Sequence, residues 1–274
     1  MKIKKKKKII YSYVMGRLSE KIGDKYQYFP IDNWQKEIII AKKLNFDSLE
    51  WIISDYSNPI FNKIYLKDIK KRLKSKSLKI NSIYLDFIMN EPLQKISEKN
   101  LGWILKKITD VQKEIKINRV TLPVEEKSRI YFDEDKKKVT KQLHKIIDVL
   151  GKKSKICIET DMSPTSLKMF LDQQKLKKLG VLLDLGNIRA NGFKIQDYFK
   201  KISVRIFAIH IKYRDKFYGK SKIIPKKFEE LSFVVNNYKK FTNLNDLTFQ
   251  TYRSDKNFIS DMKKSIKNFN EIFF

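Results

Sequence analysis

The sequence predicts an α/β chain that folds as a single-domain (β/α)8 barrel, or TIM barrel, and three observations support this prediction. Strand-like and helix-like segments alternate along the chain, with no linker or low-complexity tract between them. The length of 274 residues, of which 42% are hydrophobic, suits one barrel with a large core. Short apolar runs in the second half each end in a polar residue, where such barrels carry their functional groups.

Eight apolar runs rich in Ile, Val, Leu and Phe predict the strands of the barrel. Their order is parallel, because right-handed helical crossovers connect them. The predicted strands end at Met15, Glu50, Asp86, Pro123, Glu159, Asp184, His210 and Gln250. A doubly wound open sheet is the alternative, but no glycine-rich phosphate loop follows the first strand.

The segments between these runs are lysine-rich, with apolar residues at helical spacing, and they predict the outer helices. The predicted helices span residues 33–44, 66–78, 100–115, 136–150, 166–178, 195–201, 228–238 and 257–272. We take residues 1–274 as one domain, in which residues 1–8 form a solvated lysine-rich segment before the first strand.

Composition limits the compartment and the partners. The only cysteine, Cys157, lies inside the fifth predicted strand, so no intrachain disulfide can form. The apolar run after the N-terminal lysines is short and contains tyrosine and serine, which is unlike a signal peptide. No stretch approaches the ~18 apolar residues of a membrane span. We therefore expect a soluble cytoplasmic protein that has no membrane partner.

The net charge of +29 raises the question of nucleic acid, but the distribution of the charge argues against a specific site. Only eight of the sixty basic residues are arginine, whereas base readout depends on bidentate arginine. The lysines are spread over every predicted helix. We expect no specific nucleic-acid partner.

Four of the strand ends predict a metal site. The runs I-C-I-Glu159, V-L-L-Asp184, F-A-I-His210 and L-T-F-Gln250 each finish in a residue that can bind a cation. These side chains converge on one point if the strands close into a barrel. Two carboxylates, an imidazole and an amide without thiolate suit Mn²⁺, Mg²⁺, Co²⁺ or Zn²⁺.

Several motifs carry a resemblance to a known family. The segments A-K-K-L-N-F-D-S-L-E-W-I, I-E-T-D, L-D-L-G-N, I-H-I-K-Y-R and F-Q-T-Y-R occur in this order. Together they resemble the sugar phosphate isomerase/epimerase group of the xylose isomerase-like TIM barrels, from about Gly16 to Arg253. The resemblance implies that the four strand-end residues hold the metal. It also implies that Asn187 and Arg214 face the substrate and that Glu50 lines the same mouth. Arg17 is a further candidate, either for clamping a substrate phosphate or for capping the rim.

The chemistry of such a site begins with removal of the proton beside a carbonyl, through an enediolate. A divalent cation stabilises the developing charge, and a carboxylate carries the proton. We place Glu159 and Gln250 at the catalytic centre, with Glu159 as the base. Related ketose 3-epimerases have a second glutamate where Gln250 stands, and glutamine cannot accept a proton. Either Asp161, Glu125 or Glu50 supplies the second acid, or the enzyme is a one-base aldose-ketose isomerase.

The sequence thus predicts a metal-dependent sugar or sugar-phosphate isomerase or epimerase with a small-molecule substrate. Tyr213 stands where the related motif has Asp, so the shape of the substrate pocket is left open, as is homo-oligomeric assembly. The alternatives are an inosose dehydratase-like lyase and a catalytically altered barrel. An endonuclease IV-type repair enzyme needs several histidines for its zinc cluster, and the chain has two histidines.

Overall fold

A closed barrel of eight parallel strands forms the centre of the protein, which confirms the predicted fold class. The computed structural model describes residues 9–23, 27–173 and 176–273. The predicted lysine-rich segment 1–8 lies outside the described residues. The barrel strands are β1 (Ile10–Val14), β2 (Ser48–Ile52), β3 (Lys79–Tyr84), β4 (Arg119–Val124), β5 (Lys155–Thr160), β6 (Leu179–Asp184), β7 (Ile206–Ile211) and β10 (Asp246–Phe249). Neighbouring strands follow in chain order around the barrel, and β10 closes it by pairing with both β7 and β1.

The outer layer consists of helices that alternate with these strands. They are α1 (Trp34–Lys43), α2 (Lys63–Lys76), α3 (Glu98–Glu114), α4 (Asp133–Leu150), α5 (Pro164–Gln173), α6 (Leu185–Ala190), α7 (Ile195–Ile202), α8 (Glu229–Asn237) and α9 (Phe258–Phe273). Side-chain caps fix some of the helix starts. Asn62 accepts hydrogen bonds from two backbone N–H groups of α2, and Ser97 does the same for one N–H of α3. None of the described helices is long and apolar enough to cross a membrane.

The main core lies between the strands and the helices. In α3, Leu101, Ile104, Leu105 and Ile108 follow helical spacing and are all buried. The lysines of the same helices point outward, where single ion pairs with exposed carboxylates are of little energetic consequence. Burial of the apolar face therefore holds each helix on the barrel.

Three local features differ from the sequence prediction. Strand β2 continues to Ile52, so Glu50 lies inside the strand instead of at its end. Strand β3 ends at Tyr84, and Asp86 begins a short 3-10 helix instead of ending the strand. The chain after β7 forms an antiparallel hairpin of β8 (Tyr213–Arg214) and β9 (Ser221–Lys222), which apolar periodicity did not predict.

The interior of the barrel contains a buried ionic network at the level where apolar side chains usually fill a barrel. Arg119 on β4 donates to Glu50 Oε2 on β2 at 2.5 Å and to Asp246 Oδ2 on β10 at 2.6 Å. All three side chains are at most 4% exposed. Ser82 also donates to Glu50, at 2.8 Å, and Asn81 donates to Asp246 at 2.6 Å. One guanidinium thus connects strands on opposite sides of the barrel.

We predict that Arg119→Met lowers the free energy of unfolding by about 3–5 kcal/mol, because it leaves two buried carboxylates without their cation. Lys113→Met is the control, since it removes a cation from an exposed ion pair with Asp110 and should cost under ~1 kcal/mol. Urea titration of both variants measures the difference. A cost below ~1 kcal/mol for Arg119→Met would show that the network does not hold the barrel.

Candidate metal centre

Three of the predicted ligands come together at the C-terminal mouth of the barrel. Glu159 lies near the end of β5, Asp184 is the last residue of β6, and His210 lies near the end of β7. These strands are neighbours, and Asp184 is paired directly with His210. One ligand atom from each residue lies within 4.8 Å of the other two, and all three side chains are buried. The geometry is that of a compact site for a divalent cation.

Glu50 fixes the orientation of the His210 ring. The Nε2 atom of His210 lies 2.7 Å from Glu50 Oε1, whereas Nδ1 lies 3.4 Å from Glu159 Oε1. Arg119 keeps Glu50 ionised, so we assign a proton to Nε2 of His210, which donates a hydrogen bond to Glu50. The Nδ1 atom then faces the other ligands, where a bound cation would take the place of its proton. A carboxylate behind a histidine is the usual way to orient a metal-binding imidazole.

The electrostatics of this pocket favour positive charge. Burial lowers the pKa of His210, but the carboxylates of Glu159 and Glu50 outweigh burial and raise it to about 10. Burial raises the pKa of Glu50, but His210 and Arg119 outweigh it and lower the pKa to about 2. Glu50 therefore stays ionised, and the position beside Nδ1 attracts a cation.

The unpaired atoms of the site fit a metal ion. Both carboxylate oxygens of Glu159 and the Nδ1 atom of His210 are buried, and none has a hydrogen-bond partner among the described residues. Buried polar atoms normally have hydrogen-bond partners, whereas among these three atoms there is only the 3.4 Å contact between Nδ1 and Glu159 Oε1, which fits a site for a cation. Oxygen and nitrogen donors without thiolate suit Zn²⁺, Mn²⁺, Co²⁺ or Mg²⁺. The residues present therefore fit the predicted cation.

Asp184 joins the centre to the next helix. Its Oδ1 atom accepts the backbone N–H of Asn187 at 2.8 Å and caps α6, while Oδ2 lies 3.1 Å from Lys212 Nζ. Gly186 makes this approach possible, because a Cβ atom there would lie 2.9 Å from Lys212 Cγ and 3.1 Å from Arg214 Cγ. The L-D-L-G-N segment thus brings a ligand, a cap and two cationic side chains together.

Gln250 follows β10 and is 4% exposed. Its Nε2 atom donates to Gln27 Oε1 at 2.8 Å, and its Oε1 atom is buried without a hydrogen-bond partner among the described residues. Arg17 donates to the same oxygen of Gln27 at 2.9 Å, and Gln27 donates to Asp86 at 3.0 Å. The structure thus connects Gln250 and Arg17 through Gln27. Metal binding by Gln250 and phosphate binding by Arg17 stay predictions.

Asn187 and Arg214, the predicted substrate-binding residues, lie in one hydrogen-bonded chain. Arg214 Nη1 donates to Asn187 Oδ1 at 2.9 Å, and Asn187 Nδ2 donates to Glu125 Oε2 at 2.9 Å. Lys212 also donates to Asn187 Oδ1, at 3.4 Å. This chain joins the ends of β4 and β7 to α6 beside the ligand Asp184. Direct contact of these residues with a substrate stays a prediction.

The three candidates for a second acid have different environments. Glu50 is held between His210 and Arg119 and is fully buried. Asp161 accepts hydrogen bonds from Arg129 and forms an ion pair with it. Burial and the nearby Glu159 raise the pKa of Glu125 well above its ordinary value. The environment of Glu125 thus favours its protonated form.

Sequence reasoning missed several residues that shape the site. Lys212 stands two residues after His210, inside the I-H-I-K-Y-R motif, so its position signalled its place at the mouth. Arg119 and Asp246 are charges inside otherwise apolar strands, which is itself a signal of a buried pair. Gln27 lies in a loop, and no periodicity or motif singled it out.

A family model described as "Xylose isomerase-like TIM barrel" matches residues 38–242, which is well over half of the chain. The predicted ligands Glu159, Asp184 and His210 all lie within the matched region. No curated protein is a significant match to the sequence.

Solved structures similar to this one share the fold at low sequence identity. The IOLI protein, solved with a binding zinc atom, has a TM-score of 0.73 and 14% identity, and the match covers 97% of this chain and 99% of that one. D-psicose 3-epimerase with D-tagatose from Clostridium cellulolyticum H10 has a TM-score of 0.72 and 10% identity over 97% and 99%. A xylose isomerase-like TIM barrel protein from Mycobacterium smegmatis in complex with magnesium has a TM-score of 0.70 and 14% identity over 97% and 96%.

We predict that Mn²⁺ raises the melting temperature of the protein and that Glu159→Gln or Asp184→Asn abolishes most of the rise. At one hundred times the dissociation constant, binding adds about 2.7 kcal/mol, or roughly 5–10 °C for a chain of this size. Glu134→Gln, on the exposed face of α4, is the matched control and should keep the full rise. Differential scanning calorimetry with and without EDTA measures the rise in melting temperature of each variant. An equal rise in Glu159→Gln and in the wild type would place the cation elsewhere.

Proposed function

We propose that this chain, which belongs to the xylose isomerase-like TIM barrel family, is a metal-dependent isomerase or epimerase of a sugar or sugar phosphate. One observation carries the proposal. Glu159 is a buried carboxylate without a hydrogen-bond partner among the described residues, and it stands beside two further cation ligands. Such a carboxylate can both bind a cation and accept a proton from a substrate bound next to it. Neighbours of the same fold include a D-psicose 3-epimerase.

A divalent ion held by Glu159, Asp184 and His210 would supply polarisation of the substrate carbonyl and stabilisation of the negative charge that develops on its oxygen. The protein supplies the positions of the donors. Glu50 keeps the His210 ring in place, and the hydrogen bond from Asn187 N–H keeps Asp184 in place. These supports reduce reorganisation during the reaction, which is a large part of the catalytic effect of such sites.

Glu159 acts as the general base in this proposal. Its oxygens lie at the barrel mouth, where a sugar carbon next to the carbonyl approaches from the loop side. A positioned carboxylate base typically contributes 10²- to 10⁴-fold in rate. Among the described residues, the Glu159 oxygens have no hydrogen-bond partner and only the 3.4 Å contact with His210, so the carboxylate can accept the proton and then return it to the neighbouring carbon.

Substrate oxygens are bound by the polar side chains around the mouth. Lys212 and Arg214 both lie against α6 and share Asn187 as a partner. Their positive charges suit the hydroxyl and phosphate oxygens of a sugar phosphate. Lys212 also lies beside the ligand Asp184, so a substrate oxygen bound by Lys212 would be next to the cation site.

The choice between one base and two bases depends on Glu125. Gln250 cannot accept a proton, so a second base has to come from another strand end. Glu125 is the candidate, because it is buried, its raised pKa favours the protonated form, and it connects through Asn187 to the site. In a one-base isomerase, Glu125 only holds Asn187. In a two-base epimerase, Glu125 delivers a proton to the opposite face of the substrate carbon.

We predict that the protein, loaded with Mn²⁺ in D₂O, catalyses entry of deuterium at the carbon next to the carbonyl of its substrate. Glu159→Gln should lower the exchange by at least ~10²-fold, because it removes the base. Glu134→Gln again serves as the matched control and should keep full exchange. NMR of a panel of keto-sugars and their phosphates measures both exchange and product. Near wild-type exchange in Glu159→Gln would refute the role of Glu159.

The identity of the product separates the two routes. A one-base isomerase converts a ketose to an aldose, and Glu125→Gln should then retain most of the exchange. A two-base epimerase returns a ketose with one inverted centre, and Glu125→Gln should then cost about as much as Glu159→Gln. Loss of water from a cyclic ketone, instead of either product, would assign the dehydratase alternative.

A further inference from the structure

A concave groove next to the metal centre takes no part in the proposed proton transfer. Its volume is about 480 Å³, and residues from the loops after β4, β5 and β6 and from the β8–β9 hairpin line it. We call it the aromatic groove and define it by Arg129, Tyr131, Phe132, Asp161, Met169 and Tyr218. A volume of this size is typical of small-molecule sites.

The aromatic groove is continuous with the metal centre through bonded residues. Asp161 lies two residues after the ligand Glu159, and Arg129 donates to it at 2.8 Å. On the other side, the backbone N–H of Tyr218 donates to Ala190 O at 2.9 Å, at the end of α6. Asp184 caps the start of the same short helix. Part of the groove wall thus follows directly on β5 and β6, the strands that carry Glu159 and Asp184.

Arg214 fixes the hairpin in this position. Its Nε atom donates to Gly219 O at 2.9 Å, and its Nη1 atom donates to Asn187 at 2.9 Å. Gly219 allows the tight turn, because a Cβ atom there would lie 2.3 Å from Asp215 Cβ. One side chain therefore contacts both the polar chain beside the metal centre and the turn that carries Tyr218.

The turn of the hairpin has two aromatic residues in the left-handed region of the backbone, and hydrogen bonds to α6 and from Arg214 hold the turn in place. Phe217 and Tyr218 have φ angles of 56° and 61°, in the left-handed region where Asn and Gly are the usual residues. Their side chains are 80% and 76% exposed, so burial does not offset the strain. Strain of this kind concentrates at functional sites. Tyr218 thus presents an exposed ring at the edge of the groove, where a ligand can contact it.

The lining of the groove identifies the class of ligand. Tyr131 and Phe132 line the groove and are 64% and 73% exposed, and Phe170, which also lines it, is buried. The Arg129–Asp161 ion pair adds a charged donor and acceptor on the side nearest Glu159. Aromatic faces with a few fixed polar groups suit a small amphipathic ring better than an ion or a flat protein surface.

We propose that the aromatic groove is a subsite for a second ring of the substrate, so that the substrate is a glycoside or an aryl-substituted sugar. The second ring lies against Tyr131 and Tyr218, and its polar groups reach Arg129 and Asp161. The proposal rests on the proposed function only for the identity of the reacting sugar at the metal centre. The groove itself depends on no step of the proton transfer.

Binding without turnover tests the proposal. Phenyl β-D-glucopyranoside and methyl β-D-glucopyranoside are titrated into the full chain by calorimetry, first in EDTA and again with Mn²⁺. We expect the phenyl glycoside to bind roughly twofold to tenfold more tightly, from one or two aromatic contacts. Tyr218→Asn should remove this preference, since Asn tolerates the left-handed backbone but provides no ring. Tyr65→Asn removes an exposed tyrosine from α2 and should keep the preference.

Two further measurements make the outcome decisive. The melting temperature of Tyr218→Asn should equal or exceed that of the wild type, because the substitution relieves strain, so lost binding is not lost folding. Equal affinity for the two glycosides, or an unchanged preference in Tyr218→Asn, overturns the proposal. So does a change of oligomeric mass in Tyr218→Asn by light scattering without a change in affinity, which assigns the rim to an interface between copies. Glycoside preference without deuterium exchange would contradict the proposed function alone.

Discussion

A guanidinium buried between two carboxylates is the interaction on which the rest of this structure depends. Arg119 bonds Glu50 and Asp246 inside the barrel, where each charge alone would be costly. Because Arg119 keeps Glu50 ionised, Glu50 accepts a hydrogen bond from Nε2–H of His210. The Nδ1 atom therefore faces Glu159 and Asp184. The orientation of His210 at the mouth thus depends on Arg119 and Glu50, which lie deeper in the barrel. A barrel filled only with branched apolar residues would leave the imidazole without this support.

Positive and negative side chains occupy different parts of the barrel. Lysines cover the helices, where they are solvated and cost little, whereas the carboxylates of Glu159 and Asp184 are buried at the strand ends. Glu159, Asp184 and Glu125 share a small buried volume at the mouth, and their repulsion favours a cation there. Lys212 and Arg214 follow β7 and lie against α6, where Lys212 contacts Asp184 and Arg214 donates to Asn187. In the proposed function, Glu159 takes part in both metal binding and proton transfer, whereas Lys212 and Arg214 bind substrate oxygens.

Much of the fold and part of the site could be predicted from sequence. Apolar runs that end in Glu159, Asp184 and His210 identified the barrel and the cluster, because strand ends of a parallel barrel meet at one face. Glu50 was placed at the mouth, since its strand was read as ending there, but β2 continues two residues further. That offset moves its side chain under His210. Helical periodicity could not show the hairpin turn at Phe217 and Tyr218, because its form depends on contacts with α6 and Arg214.

Anomalous diffraction from crystals grown with Mn²⁺ is the most direct test of this arrangement. The peak should lie about 2.0–2.3 Å from an oxygen of Glu159, an oxygen of Asp184 and the Nδ1 atom of His210. The Nε2 atom should remain bonded to Glu50, now 2.7 Å away. A peak bound through Nε2, or one away from these three residues, would contradict the view that the Arg119–Glu50 pair presents His210 to the metal.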